Sequence, residues 1–338
     1  MNIAVVIPCR NEVLYIEDTI HAIYNSNLPD NINIEVFVVD GMSDDGTREK
    51  VYLLSNSYSN LNLVDNKNRL TPFAFNIGIK AAGLTDFIQI VGARHILSTN
   101  YIFNCLNKLQ SDKSIWCVGG RVENQYVNEV SKFISLAMAS SFGVGLGNFR
   151  TLNRSCFTDT VTSPMYPSWV FEKIGFFDEE LVRNQDDEFN YRVKLRGGKI
   201  FYENDISLKY YVRGTLNNLW RQFFQYGYWK VYVNVKHSTV TTIRQLLPPF
   251  FVLYLMLFMF TLIIGKSVFL ISSIPFLLYI FSSLFFSLKL VNSIRKVFLI
   301  FIIFKILHIS YGFGYLKGII EFVILNKKPS DNQKRLSR

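Results

Sequence analysis

The sequence is poor in the residues that build cross-linked, fibrous or low-complexity proteins. Its four cysteines are widely spaced, with no Cys-x-x-Cys pair and no histidine at zinc-ligand spacing, so we expect free thiols rather than a zinc site. Only 19 glycines and 9 prolines occur among 338 residues, which excludes collagen-like chains. Polar residues directly follow the short apolar run at 3–7, so we also expect no signal peptide.

Basic residues are not in excess over the first two thirds of the chain. Residues 1–245 hold 25 lysines and arginines against 24 acidic residues, a net charge of +1. Residues 246–325 add +5 and residues 326–338 add +4, which completes the net charge of +10. Because this excess flanks apolar blocks and forms no basic patch on a folded domain, it favours membrane lipids over a nucleic acid as partner.

Apolar runs alternate with helical patterns in the first half of the chain. This alternation predicts an α/β fold with a Rossmann-like, mostly parallel sheet and flanking helices. Ligands of such sheets bind beyond the carboxyl ends of the strands. The predicted strands are at residues 3–7, 35–39, 61–64 and 87–91, with helices at 12–25, 45–54, 73–82 and 186–196, and a loop at 140–147.

Two long uncharged blocks, residues 246–264 and 268–288, lie in the last third. Each approaches the ~20 residues that cross a bilayer. Each is also apolar on all sides, whereas a helix of a water-soluble protein carries a polar stripe. The sequence therefore predicts two C-terminal transmembrane helices.

The third apolar block, residues 297–325, differs because Lys305 and Lys317 interrupt it. Gly312 and Gly314 predict a hinge, so we expect interfacial or re-entrant helices here. Two spans would keep the N-terminal domain and the basic tail on the cytoplasmic side, as the positive-inside rule favours. The predicted domains are 1–240 (α/β domain), 241–326 (membrane domain) and 327–338 (basic cytoplasmic tail).

Polar segments follow the first two predicted strands. The segment from Val38 to Thr47 puts Asp40 directly after a strand, where a carboxylate can accept hydrogen bonds from a base or a ribose. With Val5-Val6-Ile7-Pro8-Cys9-Arg10-Asn11-Glu12, it resembles the signatures V-I-P-x-x-N-E and V-D-D-G-S-x-D-G-T of family 2 glycosyltransferases, which have the GT-A fold. Gly41 and Met42 depart from the second signature.

This resemblance implies a donor site for a nucleotide-sugar, with a UDP-sugar as the expected donor. The family's loops at these strand ends hold the nucleotide. The donor-binding residues implied in this chain are Pro8, Arg10, Asn11, Glu12, Asp40, Asn76 and Arg94.

A third segment, Gln185-Asp186-Asp187-Glu188, opens a predicted helix that reaches Arg192. Alone, such an acidic helix start is usually a solvated turn. It is similar, however, to the family's E-D-x-E-L-x-x-R segment, with Gln185 in place of Glu, and this implies Asp186 as the general base of an inverting transfer.

Further segments, around Asp159, at Gly175–Glu179 and at Leu219–Lys230, resemble the succinoglycan-type exopolysaccharide subgroup of the family. In that subgroup, aromatic helices rich in glutamine lie beside the acceptor. An amphipathic helix that only packs its rings is the alternative for the last segment. The implied acceptor-binding residues are Gln185, Asp187, Arg192, Gln222 and Trp229.

The most important departure concerns the metal. Enzymes of this fold usually carry D-x-D or D-x-H after the fourth strand, and the carboxylate holds Mg²⁺ or Mn²⁺. This chain has Gly92-Ala93-Arg94-His95 there. Arg94 could supply positive charge to the donor diphosphate, and His95 remains a candidate ligand, although a single imidazole suits Mg²⁺ poorly. The need for Mg²⁺ or Mn²⁺ stays open.

The sequence thus predicts a membrane-anchored, inverting glycosyltransferase of the inner membrane, with its catalytic domain on the cytoplasmic face. Its acceptor would be a lipid-linked glycan in exopolysaccharide or surface polysaccharide synthesis. Two alternatives stay open. One is a polyprenyl-phosphate sugar synthase, which normally needs an intact D-x-D. The other is a non-catalytic GT-A scaffold, which the missing carboxylate alone supports.

Overall fold

The structure is a computed structural model that describes residues 1–145, 150–212, 214–329 and 334. Strands and helices alternate through most of the first two thirds of the chain, and helices make up the remainder. The strands are β1 (Asn2–Cys9), β2 (Asn33–Asp40), β3 (Leu61–Asp65), β4 (Phe87–Ile90), β5 (His95–Leu97), β6 (Ile115–Gln125), β7 (Cys156–Thr158), β8 (Thr162–Pro167) and β9 (Lys199–Tyr211). The helices are α1 (Ile16–Tyr24), α2 (Thr47–Ser55), α3 (Thr71–Ala81), α4 (Tyr101–Ser111), α5 (Glu129–Met138), α6 (Ser141–Val144), α7 (Trp169–Ile174), α8 (Gln185–Leu195), α9 (Leu216–Lys236), α10 (Leu247–Ile264), α11 (Lys266–Leu290) and α12 (Ile294–Gly318).

The strands form one mixed sheet in the order β3-β2-β1-β4-β8-β6-β9-β5, with β7 paired to β9. The first half is parallel, because β1 pairs in parallel with β2 and β4, and β2 with β3. The α/β fold with flanking helices is thereby confirmed. The sheet is less parallel than predicted, since β8 runs antiparallel to β4 and β6. The sequence of β8, Thr-Ser-Pro-Met-Tyr-Pro, contains two prolines and gives no strand signal.

The apolar run of β1 is continuous because helices cover both faces of this part of the sheet. Ile3, Val5 and Ile7 belong to a core cluster that includes α1, whereas Ala4 and Val6 belong to a second cluster that includes α3. A strand buried on both faces needs apolar side chains at every position rather than at every second one. Because β1 lies between β2 and β4, the polar segment Arg10–Glu12 begins at a strand end inside the sheet rather than at its side.

The chain divides into two compact units. The sheet unit comprises Met1–Gln125 and Gly147–Tyr211, and the helical unit comprises Tyr126–Leu146 and Val212–Arg338. The contacts therefore group α5, α6 and α9 with the apolar C-terminal helices, which differs from the boundary predicted after residue 240. The point at which the membrane domain begins stays a prediction.

Three helices are long and apolar enough to cross a membrane: Ile243–Ile264, Lys266–Leu290 and Ile294–Ile324. The first begins with a 3₁₀ turn before α10, and the last ends with the π-helical turn Ile319–Ile324 after α12. The first two are almost entirely exposed. Of the 18-residue apolar stretch of each helix, 11% is buried in the first, 6% in the second and 44% in the third. The two predicted spans correspond to α10 and α11 in the chain, and their crossing of a membrane stays a prediction.

The predicted hinge in the third apolar block is wrong. The helix passes through Gly312 and Gly314 without interruption, so it is one continuous helix and not a re-entrant pair. Its glycines instead allow other helices to come close. A Cβ at Gly314 would lie 2.0 Å from the carbonyl oxygen of Phe224 in α9, and one at Gly312 would lie 2.6 Å from that of Pro248 in α10.

Two further predictions concern weakly patterned segments. The expected loop at 140–147 contains the short helix α6, and its last two residues lie outside the described residues. Most of the basic tail at 327–338 also lies outside them, because residues 330–333 and 335–338 are not described. The four cysteines are free thiols, as predicted, and three of them are buried.

Candidate active site

The carboxyl ends of β1, β2 and β4 lie at one edge of the sheet, because these strands are parallel neighbours. In the register, Cys9 at the end of β1 lies beside Asp40 at the end of β2, and Asp40 lies beside Asp65 in β3. Pro8, which is half-buried, pairs with Val39. The polar segments after these strands therefore lie close together, where α/β sheets bind ligands.

Hydrogen bonds join the segment after β1 to the segment after β2. Asn11 lies in the left-handed region at φ 55°, and its N–H donates to Ser43 Oγ at 2.8 Å. Its Nδ2 donates to Asp44 Oδ1 at 2.8 Å, and the Asp44 N–H donates to Asn11 Oδ1 at 3.1 Å. Because these bonds need no ligand, the edge of the site is preformed.

Asp40 is fully buried and held by charged and polar partners. Its Oδ2 accepts from Arg48 Nη1 at 2.9 Å and from the Ser43 N–H at 2.9 Å, and its Oδ1 accepts from Ser43 Oγ. Arg48 Nη2 also donates to Asp65 at 2.8 Å, and the hydrogen bonds to Asp40 and Asp65 raise the pKa of Arg48. A carboxylate has about four acceptor sites, so Asp40 retains capacity for about one more donor.

Glu12 and Arg94, which the sequence assigns separately to the donor site, form an ion pair. Arg94 Nε donates to Glu12 Oε2 at 2.6 Å, and Glu12 is 6% exposed. The guanidinium also lies over the ring of Tyr15, with its central carbon 4.7 Å from the ring centroid. The pair connects the segment after β1 with the segment after β4.

Glycines at the two strand ends leave room for side chains. A Cβ at Gly41 would lie 3.2 Å from the side chain of Arg10, which is half-buried. A Cβ at Gly92 would lie 2.9 Å from the ring of His95. The space that a side chain at these positions would occupy is thus filled by an arginine and a histidine.

His95 does not fit the predicted role of a metal ligand. Its Nδ1 accepts from the Gly92 N–H at 3.3 Å and lies 2.7 Å from Ser163 Oγ. Burial and the positive charge of Arg150 lower the pKa of His95 to about 3, so the ring is neutral and has one lone pair, which Nδ1 already uses. The described residues contain no group of three or more His, Cys, Asp or Glu that could hold a metal ion.

Arg150 is a residue of this site that the sequence does not reveal. Its guanidinium carbon lies 5.7 Å from the centroid of the Tyr210 ring, and its Nη1 donates to Asn124 Oδ1 at 3.4 Å. The ring of His95 meets the same tyrosine edge-on at 5.2 Å. No local motif surrounds Arg150, and only the pairing of β6, β9 and β5 brings these residues together.

Asp186 lies in the first turn of α8, where the sequence predicts it. Asn184 precedes this helix in the left-handed region at φ 60°, and Asp186 is exposed. Gln185 and Asp187 are half-buried, and Gln185 Oε1 has no hydrogen-bond partner among the described residues. Burial raises the pKa of the Tyr166 hydroxyl, and the thiol of Cys117 and the negative charge of Asp186 contribute. The positive end of the helix stabilises an ionised Asp186.

Two predicted ligand-binding residues have anchoring roles. Arg192 forms a bidentate pair with Glu188 at 2.8 and 2.9 Å and donates to the carbonyl oxygens of Ile174 and Phe176. Asn76 is 3% exposed; its Nδ2 donates to the Phe177 carbonyl at 2.9 Å, and the Phe177 N–H donates back at 3.0 Å. These contacts do not favour the predicted acceptor role of Arg192 or the donor role of Asn76.

In the helical unit, the two predicted acceptor residues of α9 are buried. Trp229 is 0% exposed and meets the rings of Tyr228 and Tyr232 edge-on. Gln222 is 8% exposed, and its Nε2 donates to the hydroxyl of Tyr226 at 2.8 Å. The burial of these two side chains disagrees with a contact to the acceptor. It agrees with the alternative, an amphipathic helix that only packs its rings.

Comparison with known proteins gives consistent matches over most of the chain. Residues 4–174 match the sequence model of Glycosyl transferase family 2. The succinoglycan biosynthesis protein ExoA of Rhizobium meliloti (strain 1021) is 28% identical over 247 residues, which cover 72% of this chain and 73% of that protein.

A second relative is matched over almost its full length. It is the dolichyl N-acetyl-alpha-D-glucosaminyl phosphate 3-beta-D-2,3-diacetamido-2,3-dideoxy-beta-D-glucuronosyltransferase of Methanococcus voltae, 26% identical over 94% of this chain and 97% of that protein. Among solved structures, the mannosyltransferase PcManGT from Pyrobaculum calidifontis, in complex with GDP-Man and Mn²⁺, superposes with a TM-score of 0.60. That match has 14% identity and covers 94% of this chain and 86% of that one, so it supports the fold.

Proposed function

This chain belongs to glycosyl transferase family 2, and on that premise we propose that it transfers one sugar from a UDP-sugar to a lipid-linked glycan, with inversion at the anomeric carbon. The observation that carries this proposal is the position of Asp186. It is an exposed carboxylate in the first turn of α8, and Arg192, six residues further along, ties that helix to the carbonyl oxygens of Ile174 and Phe176. A base needs such a fixed support and access to its substrate.

Asp186 would act as the general base. The acceptor hydroxyl oxygen forms a bond to the anomeric carbon of the donor, and its proton passes to the Asp186 carboxylate. On the opposite side, the bond from the anomeric carbon to the diphosphate oxygen breaks, and its electron pair leaves with the diphosphate. In-line attack of this kind inverts the configuration, and holding both reactants in line supplies much of the rate.

The donor would bind at the edge formed by the segments after β1, β2 and β4. The remaining acceptor site of Asp40 suits an N–H of the base or a ribose hydroxyl, and because Asp40 is fully buried, the partly exposed Arg48 beside it would have to move to admit the nucleotide. Pro8, Arg10, Asn11 and Glu12 would form the wall beside it, and the Nη groups of Arg94 would face the diphosphate. Gln185 and Asp187, which flank the base, would contact the acceptor.

The acceptor would be linked to a lipid and reached at the membrane surface. The support is twofold: three helices are apolar enough to anchor the chain in a membrane, and the Methanococcus voltae relative is named for a dolichyl phosphate-linked sugar substrate. We propose the inner membrane as the location, with the sheet unit on the cytoplasmic face, because the basic residues cluster after α11 and in the tail.

The test is a transfer assay with the full-length protein in membrane vesicles. A panel of radiolabelled UDP-sugars is offered with lipid-linked oligosaccharides extracted from the host, and label in the lipid fraction is measured. The proposal expects transfer from one UDP-sugar that requires a saccharide on the lipid. Transfer to polyprenyl phosphate alone would favour a polyprenyl-phosphate sugar synthase, and label in neither lipid, with all donors tried, would contradict the proposed enzyme activity.

A further inference from the structure

Positive charge gathers at the edge of the sheet around the segment that follows β4. His95 in β5 pairs with Tyr210 in β9, and Tyr210 pairs with Asn124 in β6, so these three residues form one row across the sheet. Arg150 packs on this row through the Tyr210 ring and the Asn124 side chain. Arg94 precedes His95 directly in the chain, and its guanidinium lies over the ring of Tyr15, which packs on Tyr211, the residue after Tyr210.

The guanidinium of Arg94 is only partly used by the protein. Its Nε donates to Glu12 and its central carbon lies over the ring of Tyr15, but its Nη groups have no hydrogen-bond partner among the described residues. The side chain of Arg94 is 31% exposed. It is therefore held at one side and presents up to four N–H donors at the other, in the planar arrangement that matches phosphate oxygens.

The same edge lacks the groups that hold a divalent cation. The position of Gly92 carries no carboxylate, and the ring of His95 fills the space that a side chain there would need. The Glu12 carboxylate is already paired with Arg94. Hard cations such as Mg²⁺ require several oxygen ligands, and these residues do not supply them.

From this donor set we propose that Arg94 and Arg150 bind the diphosphate of the donor and stabilise the leaving group without a divalent cation. This inference rests on the proposed function, since it concerns the same donor site. When the bond to the anomeric carbon breaks, the electron pair stays on the diphosphate oxygen, and two fixed guanidinium groups stabilise the charge that develops there.

The first test measures binding of UDP and uridine to the full-length protein by calorimetry, in EDTA and in Mn²⁺. We expect the Kd for UDP to change by less than about threefold between the two conditions. Uridine, which lacks the diphosphate, should bind more weakly than UDP in both. A UDP affinity that falls by about tenfold or more in EDTA would overturn the inference.

The second test uses arginine variants. Arg150→Gln should weaken the binding of UDP by about tenfold or more and leave the binding of uridine unchanged, because only the diphosphate loses a charged partner. Arg150→Lys keeps the charge and should recover part of the affinity. Arg196→Gln is the matched control, since Arg196 is exposed at the far end of α8. Melting temperatures without ligand verify that each variant is folded. Equal UDP affinity for Arg150→Gln and the unchanged protein would contradict a role for Arg150.

The outcomes separate this inference from the function on which it rests. If UDP binds only with Mn²⁺, a metal-dependent donor site remains and the arginine proposal alone is wrong. If the unchanged protein binds none of UDP, GDP and pyrophosphate with or without Mn²⁺, both proposals fail. Binding in EDTA that depends on Arg150 supports both.

Discussion

Glycines of the sheet unit and glycines of the helical unit make room for different neighbours. In the sheet unit, a Cβ at Gly41 would meet the flexible side chain of Arg10 at 3.2 Å. In the helical unit, a Cβ at Gly314 would lie 2.0 Å from the backbone oxygen of Phe224. A side chain can rotate away from a new methyl group, whereas a backbone carbonyl in a packed helix cannot.

The difference shows what each unit requires. The strand ends of the sheet unit use small residues so that functional side chains can lie beside each other, and moderate rearrangement there should change affinity more than stability. The helical unit uses small residues so that helix backbones can touch, and change there should affect stability first. The predictions that follow test this division.

The largest expected effect is on the chemistry of the sheet unit. Asp186→Asn should lower turnover on the order of 10²–10⁴-fold, because the amide keeps the shape but cannot accept the proton. UDP affinity and melting temperature should stay the same. Glu172→Gln, at an exposed position of α7, is the matched control and should keep full turnover. Turnover of Asp186→Asn equal to that of the unchanged enzyme, at saturating acceptor, would remove Asp186 from the role of base.

A smaller effect is expected for the carboxylate at the end of β2. Asp40→Asn should weaken UDP binding by about tenfold, because a charged hydrogen bond is lost, while turnover at saturating donor changes little. Asp65→Asn removes only the other partner of Arg48 and should leave UDP affinity near normal. Calorimetry measures both, and an unaltered UDP affinity in Asp40→Asn would place the nucleotide elsewhere.

The glycine comparison itself is tested by a pair of alanine variants. Gly314→Ala should reduce the free energy of unfolding by about 1–3 kcal/mol, the usual cost of overpacking, and Gly41→Ala should cost less. Thermal melting in one detergent compares the two. An equal or larger loss in Gly41→Ala would show that strand ends are packed as rigidly as helix contacts.

Acid should destabilise the sheet unit through His95. Its pKa is lowered in the folded protein to about 3 from a usual value near 6.5, so unfolding takes up a proton between these values. The contribution of the neutral ring is complete above about pH 6.5 and decreases as the pH falls, by on the order of 1 kcal/mol at about pH 5.5. His95→Gln should flatten this part of a plot of melting temperature against pH. If the plots for the unchanged protein and for His95→Gln were parallel, the neutral state assigned to the His95 ring would be contradicted.

The last prediction concerns topology and involves no change in stability. With two spans, a cysteine introduced by Ser337→Cys should react with a membrane-impermeant thiol reagent only after cell lysis. Cys156 is the half-buried native thiol, so the background is best Cys156→Ser. Labelling in intact cells would establish that the helix Ile294–Ile324 crosses the membrane.

The sequence predicts those features of the structure that depend on residues close together in the chain. The run Ile3–Ile7, the position of Asp40 after β2 and the helix that begins at Gln185 follow from local patterns, and the structure has all three. The order in which these segments occur also identified the family, since their spacing reflects the sheet.

Roles that depend on distant partners were not predictable. Asn76 is bonded to the backbone 101 residues away, and nothing near it in the chain indicates that partner. Arg150 contacts both Tyr210 and Asn124, and these two residues lie side by side because β6 and β9 pair in one particular register. Gly312 and Gly314 indicate flexibility because helix interiors disfavour glycine, but tertiary contact with other helices outweighs that preference.

The close approach of α9 and α12 also dictates an order of assembly during synthesis. The ribosome completes α9 long before α12. Yet Gly227 in α9 packs against the backbone of Tyr311 in α12, and Gly314 in α12 packs against the backbone of Phe224 in α9. Until the last helix emerges, the polar groups of α9 that become buried, such as Asn234, lack partners such as Tyr315. A nascent chain halted before residue 311 would therefore expose a half-finished helix surface, the kind of surface that chaperones and membrane proteases recognise.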